Sequence, residues 1–128
     1  MNRSVIDSSC WLEYFNDSDV GKKVSIIIKD IKNVIVPTIV IYEVFKKLVI
    51  EKDEDSAIFT IGQMKQGIIV ELNQELALLS AKTSLENKLS MADSIIYTIS
   101  KKFNAMLYTQ DKHFEKLKNV TYYQKTGA

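Results

Sequence analysis

Short runs of β-branched and aliphatic residues alternate along this chain with longer segments of helical periodicity. The apolar runs cover 4–6, 34–36, 68–70, 106–108 and 120–123, and each predicts a strand. Short apolar strands that alternate with helices are typical of α/β domains. The pattern therefore predicts an α/β fold with a central, mainly parallel sheet, in which 120–123 forms an edge strand.

The predicted helices place apolar residues at intervals of three and four. Thr38 is predicted to cap the third helix, because Pro37 ends the strand before it. The six helices are predicted at 8–15, 20–31, 38–51, 53–64, 73–86 and 90–103.

The length of 128 residues predicts one domain, 1–128, and the composition of 46% hydrophobic and 26% charged residues is that of a globular protein. Cys10 is the only cysteine, which excludes an intramolecular disulfide and a cysteine-rich zinc site. We expect Cys10 to be a buried helix residue. No apolar run approaches the length of a membrane span, and the first residues do not resemble a signal peptide. We therefore expect a cytoplasmic protein with no membrane contact.

The net charge of +1 argues neither for nor against nucleic acid as a partner. Arg3 is the only arginine among 17 basic residues, so arginine contacts with base edges are not a plausible main mechanism. Lysines remain as candidates for contacts with a nucleic-acid backbone. These candidates are Lys22, Lys23, Lys46, Lys47, Lys101, Lys102, Lys112, Lys116 and Lys118.

Four carboxylates follow or flank the predicted strands. Asp7 comes directly after the first strand, and Asp111 follows the fourth strand after two residues. Glu43 lies in the helix after the second strand, and Asp93 lies near the start of the helix before the fourth. Ligands of parallel sheets bind at the carboxyl ends of the strands, so these acids are candidates to converge there. Clustered carboxylates favour a hard cation such as Mg²⁺ or Mn²⁺, which can polarise a phosphate and activate a water.

Each acid also has a purely structural explanation. Asp7 is a candidate N-cap for the first helix, and Asp111 is one for the residues after it. Glu43 has lysines three and four residues later, which can form a surface ion pair. Ser90 and Asp93 match the capping-box pattern Ser-x-x-Asp.

Taken in order along the chain, the segments around these acids resemble the four motifs of PIN-domain ribonucleases. The matching segments are VIDSS (5–9), followed by Trp11 and Phe15, then VPTIVIYEV (36–44), ADSII (92–96) and LYTQDKHF (107–114). The last contains the Thr-x-Asp-x-x-Phe pattern. Within the family, the chain is most similar to the small VapC toxins of toxin–antitoxin pairs.

This resemblance implies a three-layer α/β/α fold and a metal-dependent endoribonuclease. It implies catalytic and metal-binding roles for the four acids, which would hold one or two Mg²⁺ or Mn²⁺ ions. It also gives auxiliary roles to two hydroxyls that orient ligands or water. The acids are Asp7, Glu43, Asp93 and Asp111, and the hydroxyls are Ser8 and Thr109.

The resemblance further implies partners: an RNA substrate, a cognate antitoxin of a type II pair, and a second copy in a homodimer. A docking groove for the antitoxin is predicted along the first helix and the helix 38–51. Some of the candidate lining residues must belong to the core, so the prediction is of the groove and not of its exact lining. The candidates are Trp11, Phe15, Tyr42, Phe45 and Leu48. His113, the only histidine, is predicted to occupy a solvated loop position.

Two other functional classes are consistent with an α/β chain of this length. A receiver-like signalling module needs an acidic pair after the first strand and an aspartate after the third, but here Asp7 stands alone and Glu71 follows the third strand. A PIN-like fold that only binds RNA or protein is the other alternative, and the intact set of four acids argues against it. A metal-dependent RNA cleavage assay separates the three.

Overall fold

A computed structural model describes residues 2–125 and contains a five-stranded sheet in which every strand pairing is parallel. The strand order is β3-β2-β1-β4-β5, so β1 is central. The strands are β1 (Ser4–Ile6), β2 (Val34–Pro37), β3 (Ile68–Val70), β4 (Met106–Thr109) and β5 (Val120–Tyr122). The predicted mainly parallel sheet is confirmed, and β5 is an edge strand as expected.

Six helices accompany the sheet in a three-layer α/β/α arrangement, which confirms the predicted fold class. Two short 3-10 helices, Ile31–Asn33 and Lys112–Phe114, join the main elements. The helices are α1 (Ser8–Phe15), α2 (Asp19–Ile28), α3 (Thr38–Glu51), α4 (Glu54–Met64), α5 (Gln74–Asn87) and α6 (Met91–Lys102). None of the helices within residues 2–125 is long and apolar enough to span a bilayer.

The core lies on the central strands. All residues of β1 and β2 are buried, and Val5, Ile6 and Ile35 are completely inaccessible to solvent. Strands covered on both faces must be apolar throughout rather than alternating, which is why these segments are continuous aliphatic runs. Cys10 is fully buried in α1, as the sequence predicted.

Several predicted helix ends and caps are wrong for local reasons. Pro37, not Thr38, occupies the N-cap position of α3, because Pro37 is still paired with Val70 in the sheet and its extended backbone leads directly into the helix. The second helix ends at Ile28 rather than at 31, where a separate 3-10 turn begins. Asp53, Asn73 and Ser90 were predicted as the first residues of their helices, but each is the N-cap just before its helix and accepts a hydrogen bond from a backbone amide there.

Helix α1 is held close to α2 at Gly21. A Cβ atom at this position would lie 2.1 Å from the carbonyl oxygen of Glu13, so only glycine permits this approach of the two backbones. Ser18 caps α2 by accepting a hydrogen bond from the amide of Gly21 at 3.0 Å. This contact between α1 and α2 fixes the position of α1, and the first residues of α1 directly follow the end of β1.

Candidate active site

Asp7 directly follows the carboxyl end of β1, the central strand, and lies beside the carboxyl end of β4. Ile6 is in register with Tyr108, and the amide of Asp7 donates a hydrogen bond to the Tyr108 carbonyl at 3.1 Å. The hydroxyl of Thr109, the next residue of β4, donates to Oδ2 of Asp7. Strand register therefore brings the first and fourth sequence motifs into direct contact.

The carboxylate of Asp7 is nearly enclosed, with only 5% of the residue exposed. Its Oδ1 accepts hydrogen bonds from the Ser9 hydroxyl at 2.6 Å and from the amide of Cys10 at 3.2 Å. Burial raises the pKa of Asp7 to about 6, against the lowering effect of the hydrogen bonds from Ser9, Thr109 and Cys10. Asp7 thus caps α1 and also lines a surface cleft at the start of this helix.

Glu43 approaches the same cleft from α3 and is half-buried. Burial raises the pKa of its carboxyl group, a hydrogen bond from Ser8 lowers it, and the nearby charges of Asp7 and other acids raise it further. The predicted alternative, a pair with a lysine one turn later, is not what the structure contains. Lys47 pairs instead with Glu51 at 3.5 Å, and Lys46 lies over the ring of Tyr42.

Asp93 lies in the first turn of α6, where its backbone amide donates to the hydroxyl of the N-cap Ser90 at 3.4 Å. The predicted capping role is therefore confirmed for Ser90, and the Asp93 side chain also lines the cleft. Burial and the adjacent charge of Asp111 raise the pKa of Asp93, while contacts with His113 and Ser90 lower it.

Asp111 follows β4 and caps the 3-10 helix Lys112–Phe114, as predicted, by accepting a hydrogen bond from the amide of His113 at 2.9 Å. Its own amide donates to the Thr109 hydroxyl at 2.9 Å. The Thr109 hydroxyl therefore links Asp7 to Asp111, and Thr109 itself is completely buried.

The prediction for His113 is incomplete. Its side chain is 73% exposed, as expected of a loop position, but Nδ1 lies 3.2 Å from Asp111 Oδ1 and 3.5 Å from Asp93 Oδ2. The sequence carried no signal for this contact beyond the position of His113 two residues after Asp111.

The structure brings all four predicted acids to one cleft of about 520 Å³, together with Ser8. Thr109 acts through its hydrogen bonds rather than as a lining residue. The complete lining is Asp7, Ser8, Ser9, Glu43, Asp93, Ile96, Gln110, Asp111, Lys112, Tyr122, Gln124 and Lys125.

Sequence reasoning missed the role of Ser9. Its hydroxyl donates to Asp7 and accepts a hydrogen bond from the amide of Gln110 at 3.2 Å, so it ties α1 to the segment after β4. A small hydroxyl two residues after a buried acid was the available signal. Sequence reasoning also gave no role to Lys125, which lies at the cleft with Lys112.

Several of the lysines proposed for backbone contacts are engaged elsewhere. Lys102 forms an ion pair with Glu75, Lys101 lies over the ring of Tyr97, and Lys23 lies over the ring of Tyr123.

The donor set at this cleft fits a divalent cation. Asp93, Asp111 and His113 each offer one ligand atom, and the three atoms lie within 4.8 Å of one another. The pKa values of Asp7, Glu43 and Asp93 are all raised, because burial and mutual repulsion disfavour their charged forms. A cation in the cleft relieves both effects, and oxygen donors suit Mg²⁺ or Mn²⁺.

The sequence of the chain matches the family model of the PIN domain over residues 4–120, nearly its whole length. The chain belongs to the PIN domain family. The family predicted from the four motifs is therefore confirmed. No curated protein sequence matches the chain.

Solved structures of other proteins share the fold of this PIN domain. A toxin–antitoxin complex from Klebsiella pneumoniae includes a chain with 19% identity and a TM-score of 0.76, and the match covers 92% of this chain and 95% of that one. VapC20 from Mycobacterium tuberculosis, described as a toxin that cleaves the sarcin–ricin loop, has 14% identity and a TM-score of 0.71 over 91% and 95%. A DNA-bound VapBC complex from Salmonella typhimurium has 11% identity and a TM-score of 0.72 over 96% and 98%. At these identities the likeness is one of fold.

A second cavity of about 520 Å³ lies between α1 and α3, as the predicted docking groove requires, but its lining differs from the prediction. Trp11 and Leu48 are core residues, exposed by only 1% and 2%. Phe15 and Phe45 pack partly against the core, and Tyr42 is exposed outside the groove, so Leu12 supplies the apolar part of a mainly polar lining. It is lined by Ser8, Ser9, Leu12, Glu13, Asn16, Glu43, Lys47, Glu51, Gln110 and Lys125.

Proposed function

We propose that this PIN domain is a divalent-cation-dependent endoribonuclease and the toxin of a type II toxin–antitoxin pair. The observation that carries the proposal is the convergence of four carboxylates, from the ends of β1 and β4 and from α3 and α6, in one cleft with lysines beside it. Four acids in one partly buried cleft cost stability unless a cation neutralises them. Such a cost is expected where the cluster serves chemistry rather than structure.

In this proposal the acids Asp7, Glu43, Asp93 and Asp111 hold one or two Mg²⁺ or Mn²⁺ ions. A cation held by these acids would supply Lewis-acid chemistry, which would polarise the scissile phosphodiester and activate a water. Ser9 and Thr109 fix the orientation of the Asp7 carboxylate through their hydroxyl groups. Glu43 lines the same cleft from α3 and would add its carboxylate to the set around the cation.

The RNA substrate is bound mainly by charge. Lys112 and Lys125 line the acidic cleft, so a strand that crosses the cleft meets these two cations. Lys47 lines the neighbouring groove, where it also pairs with Glu51. Few phosphate contacts imply modest affinity, with a dependence on salt that reflects the small number of lysines.

The decisive experiment measures cleavage of a labelled RNA by the purified protein with Mg²⁺, with Mn²⁺ and with chelator. We expect cleavage only with a divalent cation, and we expect Asp7→Asn and Asp93→Asn to abolish it. Asp55→Asn makes the same chemical change at an exposed acid of α4 and serves as the matched control. Metal-independent cleavage, or full activity in both site variants, would contradict the proposal.

The toxin role has its own test in cells. We expect expression of the chain alone to arrest growth, co-expression of the cognate antitoxin to relieve the arrest, and Asp7→Asn to be harmless although it folds. Equal arrest by the wild type and Asp7→Asn would instead favour a domain that only binds RNA or protein.

The antitoxin is proposed to occupy the groove between α1 and α3. This groove and the acidic cleft share Ser8, Ser9, Glu43, Gln110 and Lys125, so a chain laid in the groove leads directly to the acids. A basic side chain of the antitoxin at that end would meet several carboxylates at once. The homodimer implied by the family resemblance remains a prediction, which light scattering of the purified protein tests.

A further inference from the structure

His113 contacts two of the four acids, although it is not one of the motif residues that the family resemblance assigns a role. Nδ1 of its imidazole lies 3.2 Å from Oδ1 of Asp111 and 3.5 Å from Oδ2 of Asp93. One donor atom from each of the three residues lies within 4.8 Å of the other two. The three side chains come from the first turn of α6 and from the turn after β4, which are far apart in sequence.

The spacing of these donor atoms matches that of ligands on one cation. Octahedral ligands about 2.1 Å from an ion lie about 3 Å apart when adjacent and about 4.2 Å apart when opposite. The two distances from the His113 nitrogen exceed the adjacent value by only a few tenths of an ångström. A cation shared by the three groups therefore requires little movement of the side chains.

The backbone holds His113 in this position despite the exposure of its ring. Its amide donates to Asp111 Oδ1 at 2.9 Å, which closes the first turn of the 3-10 helix. The next residue, Phe114, is completely buried and anchors the same turn in the core. The imidazole is thus held against Asp93 and Asp111 while most of its side chain remains accessible to solvent.

We propose that His113 supplies a nitrogen ligand through Nδ1 to the divalent cation held by Asp93 and Asp111, and that this ligand biases the site toward Mn²⁺ over Mg²⁺. The inference rests on the proposed function, because it assigns a fifth side chain to the same site. Mg²⁺ prefers oxygen ligands in near-ideal octahedral geometry, whereas imidazole suits transition-metal ions. A site with one nitrogen donor therefore discriminates between the two ions in a way that an all-oxygen site does not.

A competing explanation is that His113 only offsets the negative charge of Asp93 and Asp111. The two roles predict opposite effects of removing the ring. A ligand strengthens cation binding, so its loss weakens binding. A counter-charge competes with the cation, so its loss leaves binding unchanged or strengthens it.

The test loads the purified protein with Mn²⁺ and records pulsed electron paramagnetic resonance for a nitrogen hyperfine coupling. The comparison includes the wild type, His113→Gln and a control variant, Lys116→Gln. Lys116 is an exposed residue three positions after His113 that does not line the cleft, so its variant removes a positive charge from this segment without removing a ligand. We expect the coupling in the wild type and in Lys116→Gln and its loss in His113→Gln. We also expect His113→Gln to lose roughly tenfold or more in Mn²⁺ affinity and much less in Mg²⁺ affinity.

The outcomes separate this inference from the proposed function. If Mn²⁺ binds and RNA is cleaved but no nitrogen coupling is observed, or if His113→Gln binds Mn²⁺ as tightly as the wild type, the nitrogen ligand is refuted and the nuclease stands. If the wild type binds neither ion, the metal-dependent nuclease itself fails. His113→Gln changes an exposed side chain, so melting curves without metal should coincide with those of the wild type.

Discussion

Replacing Asp7 with asparagine removes one buried charge and keeps the shape of the side chain. The folded protein raises the pKa of Asp7 from 3.8 to about 6 because the carboxylate is buried. A rise of about two pH units corresponds to roughly 3 kcal/mol of preference for the uncharged form in the folded state. Asparagine is also an effective N-cap, so the bond from the Cys10 amide to the residue 7 side chain can persist.

We therefore expect Asp7→Asn to be more stable than the wild type by about 1–3 kcal/mol at about pH 8 without metal. For a chain of this length, that gain corresponds to roughly 4 °C of melting temperature per kcal/mol. Because the folded state binds the Asp7 proton more tightly than the unfolded state, the wild type loses stability as the pH rises from about 4 through about 6. The advantage of the variant should be largest above the folded pKa and should vanish near pH 4.

Urea unfolding of both proteins in chelator, at several pH values across this range, measures the difference directly. A variant that is less stable than the wild type at about pH 8 would refute the reasoning, because the capping and hydrogen-bonding roles of Asp7 would then outweigh the cost of burying its charge. A constant difference across the pH range would also contradict it, since the effect must follow the titration of Asp7.

Three further predictions concern the same fold and site. Mg²⁺ or Mn²⁺ should raise the melting temperature of the wild type, by an amount that grows with the logarithm of concentration, and this rise should shrink in Asp7→Asn and Asp93→Asn; an identical response in all three would exclude the proposed ligands. Thr109→Val should lower the free energy of unfolding by about 1–3 kcal/mol, because the buried Asp7 carboxylate loses a hydroxyl donor and the Asp111 amide loses an acceptor, and chemical denaturation measures the loss. Gly21→Ala should destabilise the protein by at least about 1–3 kcal/mol, since its Cβ would overlap the Glu13 carbonyl; an unchanged melting temperature would show that α1 and α2 separate easily.

The sheet was predictable because its central strands are buried on both faces. That environment requires unbroken aliphatic runs, and such runs are visible in the sequence. The convergence of Asp7 and Asp111 followed from the same reasoning, because parallel strands end at one edge. The pairing of β1 with β4, which sets the contact between Asp7 and Thr109, was not visible, since strand order depends on long-range packing.

Side chains that depend on tertiary contacts were predicted less well. The five large residues predicted to line a groove on α1 and α3 were candidates because helical periodicity identifies an apolar face but not which of its members the core covers. Trp11 and Leu48 are covered, and polar residues line the groove instead. His113 was assigned to solvent for a similar reason, since its contact with Asp93 joins two turns distant in sequence.

The acidic cleft and the α1–α3 groove share several lining residues, and this overlap has a consequence for enzyme kinetics. Ser8, Glu43 and Lys125 line both cavities, so a ligand in the groove that engages these side chains withdraws them from the acidic cleft. In the proposed nuclease, an inhibitor that fills the groove as far as these shared side chains would therefore compete with RNA. It would raise KM without lowering kcat, and a sufficient excess of RNA would displace it. The strength of such inhibition depends on the ratio of inhibitor to RNA, so RNA itself would help to determine when the proposed nuclease is active.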